Sequence, residues 1–374
     1  MRCFFMLAVL ATHVTSHYTD AFVNGSHSHE LMLASHMMLH FARYGFMFIT
    51  GLVLFLVYYN RKIHLKKFWI KHIGNIGIPY VFWMGVSLFI TMWLFHRADF
   101  TWNNWFTTWL NDVLYAKRFY LYYLYVTMQF YLVFPLLVWL FKKTEGHHNT
   151  VLAISAAIQM IMLLFYVKYI FPNQSHTGWP FLLKYYGNNV FFYEDYFVLG
   201  GYVWIHYDTV KKCIRKYRYW IYSATVLLSL GTIPLYLFNA KIMNFHRHLS
   251  QLAHQPYIMV YSTAVILSAI SVSLKYAEVR TQPKWQRFSK LVGMTSLLSF
   301  GICLTQTAPI ILLDHFLTTV NIYVPSWQLL IMLPFGLLFV IAVAWLISYF
   351  CFKVPPLGIL IGRPNWKKKK AKAA

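Results

Sequence analysis

Ten apolar runs divide this chain of 374 residues, near positions 2–16, 37–59, 73–95, 120–141, 151–171, 189–206, 220–238, 257–276, 291–316 and 327–350. Most approach the ~20 residues that a helix needs to cross the hydrocarbon core of a bilayer. Charge content agrees: 11% of residues are charged, where a soluble domain carries about 25%. The runs predict an all-α fold, a polytopic bundle of about ten transmembrane helices, multi-pass in the cell (plasma) membrane.

Charge placement orients the bundle. The chain has 33 Lys and Arg against 10 Asp and Glu, an excess that in a soluble protein would point to nucleic acid. Here the basic residues sit between apolar runs, which argues against a nucleic-acid partner and for cytoplasmic loops. With the N-terminus inside, the inner segments carry 24 Lys and Arg and the outer segments carry 6. Both termini are therefore expected in the cytoplasm. The domain reading is one transmembrane domain over 1–352 and a basic cytoplasmic tail over 353–374. That tail ends NWKKKKAKAA, a sequence attracted to anionic lipid headgroups. The cysteines Cys3, Cys213, Cys303 and Cys351 are scattered, with no CxxC pair and no disulfide framework. The first run is short, about 22 Å from Arg2 to Ser16, so the natural chain is expected to start some residues upstream of Met1.

Polar residues inside apolar runs are costly in lipid and must face protein or water. Three sets qualify: Arg2 with His13 in the first run, Arg43 in HFARYGFMFITGL, and Gln306 in FGICLTQTAPIILLDH. His13 has two readings, a functional imidazole or a histidine bonded to a neighbouring helix. Gln306 reads equally as a bridge between helices. Asp314 and His315 fall near the outer interface.

At these residues the chain begins to resemble a family. Arg2 followed by His13 is similar to the first-helix signature of the acyltransferase-3 membrane O-acyltransferases. RYGFMFITGL resembles their second helix, and KKFWIKHIGNIGIPYVFW the basic inner loop that leads into Ile-Pro-Tyr. YYLYVTMQFYLVFPLL, with Gln129, Phe130, Tyr131 and Pro135, resembles the aromatic fourth helix, and DYFVLGGYVW and SFGICLTQTAPI resemble later segments. Within the family the chain looks nearest to the intercellular adhesion protein C group, which serves extracellular poly-N-acetylglucosamine-type polymers.

The resemblance implies a membrane-bound acyltransferase. It would move an acetyl or succinyl group from acyl-CoA, at the cytoplasmic side, to a hydroxyl of an extracellular polysaccharide or related glycan. His13 then acts as general base, because imidazole titrates near the working pH and can take and give a proton. Arg2 stands at the cytoplasmic end of the same helix and is assigned with His13 to the catalytic residues, on the donor side. Lys66, Lys67, Lys71 and His72 are placed to hold the phosphates of coenzyme A, although each lysine is also an ordinary inner-loop residue. Arg43 is assigned to the site wall, and Gln129 and Gln306 to substrate contacts. No bound cofactor and no metal are required. The implied partners are acyl-CoA, the glycan acceptor, the bilayer and a polysaccharide synthase complex.

The chain also departs from the family pattern. The inner loop of the family carries two arginine-like residues three apart, and here those positions read His72 and Asn75. The late motif of the family ends in histidine-proline, and here it reads Gln306-Thr307-Ala308-Pro309. Glutamine hydrogen-bonds but takes no proton, so an acid–base role at 306 is lost. These departures keep a second reading open, a non-catalytic exporter of a poly-N-acetylglucosamine-type exopolysaccharide. No ATP-binding motif accompanies it, and no broken-helix inverted repeat of the kind many transporters show.

Lesser features complete the reading. His36 and His40 share a helical face at metal-compatible spacing, on a loop that also holds His17, His27 and His29. Trp102, Trp105 and Trp109 form a stripe that suits either sugar stacking or an interfacial helix. Asn24-Gly25-Ser26 and Asn173-Gln174-Ser175 match the glycosylation acceptor pattern.

Overall fold

The computed structural model describes residues 1–116, 120–170, 178–179, 184, 186–243, 245 and 250–364. Lys117, Arg118, Arg247, the acceptor pattern at 173–175 and the basic residues 367–372 lie outside the described residues. Every regular element among the described residues is helical. In chain order the α-helices are α1 (Arg2–Ala21), α2 (His27–His36), α3 (Phe41–Tyr58), α4 (Leu65–Phe95), α5 (Trp102–Tyr115), α6 (Tyr122–Lys143) and α7 (His148–Phe165). They continue as α8 (Glu194–Ile205), α9 (Tyr207–Leu230), α10 (Thr232–Leu237), α11 (Pro256–Val279), α12 (Gln286–Thr305), α13 (Thr307–Val320) and α14 (Ser326–Lys353).

Eight stretches among the described residues are long and apolar enough to cross a membrane. The all-α polytopic membrane bundle is the observed architecture. The runs at 2–16 and 189–206 are not among the eight. The first becomes α1, which is longer than expected. Its C-terminal half is threonine-rich, and the hydroxyls of Thr12, Thr15 and Thr19 donate to the carbonyls of Ala8, Ala11 and Thr15 at 2.7–2.8 Å. Hydroxyls within the expected run, and that of Thr19 beyond it, are thereby satisfied within the helix, which runs about 30 Å. The second contracts to α8, 12 residues long and largely buried. The run at 291–316 breaks at Gln306, where α12 ends and α13 begins. Pro309 cannot donate to the carbonyl of Thr305, and its ring crowds that carbonyl.

The chain forms two compact units, interleaved along the sequence. Unit one comprises Met1–Phe5, Leu31–Leu65 and Gln129–Ser289. At its centre α3 and α8 meet almost backbone to backbone. A Cβ on Gly51 would stand 2.2 Å from the carbonyl oxygen of Phe197, and one on Gly200 would stand 2.3 Å from that of Phe48. Small residues at such a crossing allow the close packing that holds helices together in lipid. Ser155 of α7 donates to Glu194 Oε2 at 2.8 Å, and the amide of Asp195 donates to Gln159 Oε1 at 2.9 Å, which fixes the start of α8. Between α9 and α11, hydroxyl pairs Tyr222–Ser271 and Thr225–Ser268 close at 2.8 Å.

Unit two comprises Met6–Glu30, Lys66–Met128 and Lys290–Ala374. Tyr18 of α1 lies against Gly336 of α14 and donates to the carbonyl of Met332 at 3.0 Å. Trp83 of α4 donates to Leu360 O at 2.8 Å, and Tyr80 to Val113 O at 2.8 Å. Between α4 and α5 runs an apolar groove of about 690 Å³, lined by Ile78, Phe82, Phe89, Trp105 and Trp109 among others.

Candidate active site

His13 and His17 stand one helical turn apart and share a face of α1. Tyr120, which precedes α6, engages both. Its ring stacks on the His13 imidazole, with centroids 3.6 Å apart and planes at 28°. Its hydroxyl lies 2.7 Å from His17 Nε2, and His17 Nδ1 lies 2.7 Å from Asp314 Oδ1 of α13. A carboxylate at that distance selects the Nδ1–H tautomer, leaving Nε2 to accept the hydroxyl proton of Tyr120. Both ring nitrogens of His17 are thus committed to protein partners. His13 presents its face to a phenol instead. The side chains of His17 and Asp314 are 21% and 30% exposed, so the group is open to solvent.

The backbone is strained to make this arrangement. Tyr120 has φ 56, in the left-handed region that bulky residues avoid, and Ala116 at the end of α5 has φ 49. Such residues cost about 1–3 kcal/mol and persist where their surroundings over-determine them. For Tyr120 the surroundings include the His13 stack and the His17 hydrogen bond.

The expected donor residues lie at the start of α4. Lys66, Lys67 and Lys71 are exposed, and His72 is half-buried with its ring 4.5 Å from that of Phe68. The first turn of α4 holds no acidic residue. Lysines there face the positive end of the helix dipole, which is unfavourable until an anion arrives. The arrangement suits phosphate binding better than it suits helix stability.

Arg43 belongs to a different cluster, in unit one. It lies within electrostatic reach of His36, His40 and His254. His40 Nε2 pairs with the carbonyl of Gln251 at 2.5 Å, and Tyr44 donates to Ala253 O at 2.9 Å. His254 Nδ1 lies 3.2 Å from the Tyr44 hydroxyl, and its Nε2 lies 3.4 Å from that of Tyr193. The His36–His40 pair is thus part of a polar network around Arg43. In the same unit, Arg2 is within electrostatic reach of Tyr131, and Gln129 donates to the carbonyl of Asn188 at 2.7 Å.

Gln306, 1% exposed, is the hinge between α12 and α13. Its Nε2 donates to Cys303 O at 3.0 Å, while its Oε1 accepts no hydrogen bond among the described residues. The tryptophan stripe divides. Trp105 and Trp109 stack in parallel at 5.8 Å against Gly85 of α4, and Trp109 donates to Val81 O at 3.1 Å. Trp102 is 69% exposed. The groove that the inner pair lines is apolar and offers a sugar few hydrogen-bond partners.

The structure therefore brings together His13 with His17, Tyr120 and Asp314, of which sequence reasoning had singled out only His13 for catalysis. The His13/His17 spacing was the available signal for His17. Asp314 stood out only as an acidic residue at the outer end of an apolar run, and Tyr120 carried no signal. In comparison with known proteins, the model of the family described as Acyltransferase domain matches residues 1–349. No curated protein and no solved structure matches the chain.

Proposed function

The chain belongs to the acyltransferase-3 family of membrane acyltransferases, and on that premise we propose that it transfers an acetyl or succinyl group from acyl-CoA to a hydroxyl of an extracellular polysaccharide or related glycan. His13 is the general base. The observation that carries the assignment is the constellation around it: an imidazole stacked on Tyr120, whose hydroxyl is tied through His17 to Asp314. As the acceptor oxygen bonds to the acyl carbon, its proton passes to His13, the carbon–sulfur bond breaks, and the thiolate of coenzyme A recovers a proton. Such proton transfer contributes typically about 10²–10⁴-fold. Lys66, Lys67, Lys71 and His72 hold the phosphates of the donor. The charge bias of the loops supports cytoplasmic termini.

The deciding experiment is a proton NMR spectrum and total yield of the cell-surface polysaccharide, from wild type, a deletion and His13→Ala. Polymer present outside but lacking O-acyl signals in both mutants is the expected result. Polymer retained inside the deletion strain, with His13→Ala behaving as wild type, would instead identify an exporter.

A further inference from the structure

We propose that the ring of Tyr120 is the surface against which His13 carries its positive charge, with His17 and Asp314 acting through Tyr120 as positioning residues. This rests on the reading of His13 as general base. A neutral imidazole stacked on a phenol gains only ordinary ring packing. Once protonated it gains cation–π attraction to the same face. At 3.6 Å between centroids the interaction is made ready before the proton arrives and strengthens as it does. Contacts that grow along the reaction coordinate are those that accelerate a step.

The remaining geometry enhances this face. Tyr120 donates its hydroxyl proton to His17 Nε2 across 2.7 Å, and Asp314 anchors the other nitrogen at 2.7 Å. Donation leaves partial negative charge on the phenol oxygen and makes its ring a better partner for a cation. Tyr120 keeps its proton throughout; the only proton that moves is the one His13 takes from the acceptor and returns to the leaving group. The left-handed φ of 56 at Tyr120 accompanies the placement of both its ring and its hydroxyl. Among the described residues, the titratable groups that interact with Tyr120 are His13, His17 and Asp20 from α1 and Asp314 from α13.

The test reads the titration of His13 by ¹⁵N-histidine NMR in the full-length protein in nanodiscs, alongside acetyl transfer from acetyl-CoA to a short N-acetylglucosamine oligomer. In Tyr120→Leu, His13 is expected to titrate about one pH unit lower. The turnover number is expected to fall about tenfold, with KM for acetyl-CoA unchanged. Tyr120→Phe keeps the ring and loses the hydroxyl, so it should fall between, as should Asp314→Asn. An unmoved His13 midpoint in folded Tyr120→Leu overturns the proposal. Should that variant fail to fold, an unmoved midpoint in both Tyr120→Phe and Asp314→Asn overturns it. Full transfer by His13→Ala would remove the general base itself. An inactive His13→Ala with unmoved midpoints in the Tyr120 and Asp314 variants would remove the role of Tyr120 alone.

Discussion

His254 is 2% exposed, between the hydroxyls of Tyr44 and Tyr193, and burial first, then the charge of Arg43, pushes its imidazole down to about 3. In the unfolded chain the same group titrates near 6.5. Between these values the unfolded state binds a proton that the folded state refuses. The stability that this group contributes is therefore fully present above pH 6.5 and is lost as pH falls below it, by up to about 1.4 kcal/mol for each pH unit down to about 3. Thermal unfolding of purified protein from pH 7 to pH 4 should show this slope, and His254→Gln should flatten it. Parallel slopes in the two proteins would show that some other group governs acid sensitivity.

Helices respond to substitution according to what each face meets. On α3, Gly51→Ala drives a methyl group into the carbonyl of Phe197, and backbone cannot retreat as a side chain can. A loss of about 1–3 kcal/mol is expected, read as a lower melting temperature. On α4, a Cβ at Gly74 meets nothing within 4 Å. There Gly74→Ala should be neutral or stabilising by up to about 1 kcal/mol, because alanine is the better helix former. Equal effects at the two glycines would contradict the close crossing of α3 and α8. At the start of α4, replacing Lys66, Lys67 and Lys71 together with alanine should raise KM for acetyl-CoA about tenfold or more and leave the turnover number near wild type. Its KM should also lose most of its dependence on salt, since exposed charges are screened over ~10 Å at 0.1 M. An unchanged KM would place the donor elsewhere.

At the scale of the molecule, the proposed orientation can be checked without altering the sequence. Cys213 in α9 is exposed, Cys3 is half-buried, and Cys303 and Cys351 are buried. Cys213 stands among Lys211, Lys212, Arg215 and Lys216, one of the basic inner segments. A membrane-impermeant maleimide should therefore leave it unlabelled in intact cells and label it after lysis. Labelling in intact cells would invert the topology, and with it the assignment of donor and acceptor sides.

Much of this was legible along the chain, because the physics that governs it is local. Transfer of apolar residues from water to lipid, and the lysines left between the runs, predict a helical membrane bundle residue by residue. The break after α12 escapes the sequence reading, which takes 291–316 as one span, although Pro309 supplies a local reason for it, a missing donor. The length of α1 was misread because threonine hydroxyls return their hydrogen bonds to their own helix, which composition does not reveal. The candidate-site group is of another kind. His17 meets Asp314 across 297 positions and Tyr120 across 103, and His254 meets Tyr44 across 210. No period or spacing connects such residues. The sequence by itself determined the helices, their apolar faces and the imidazole at 13. Only the tertiary structure decided what that imidazole stands against, because the contact depends on how separate helices pack and on the strained turn that carries Tyr120.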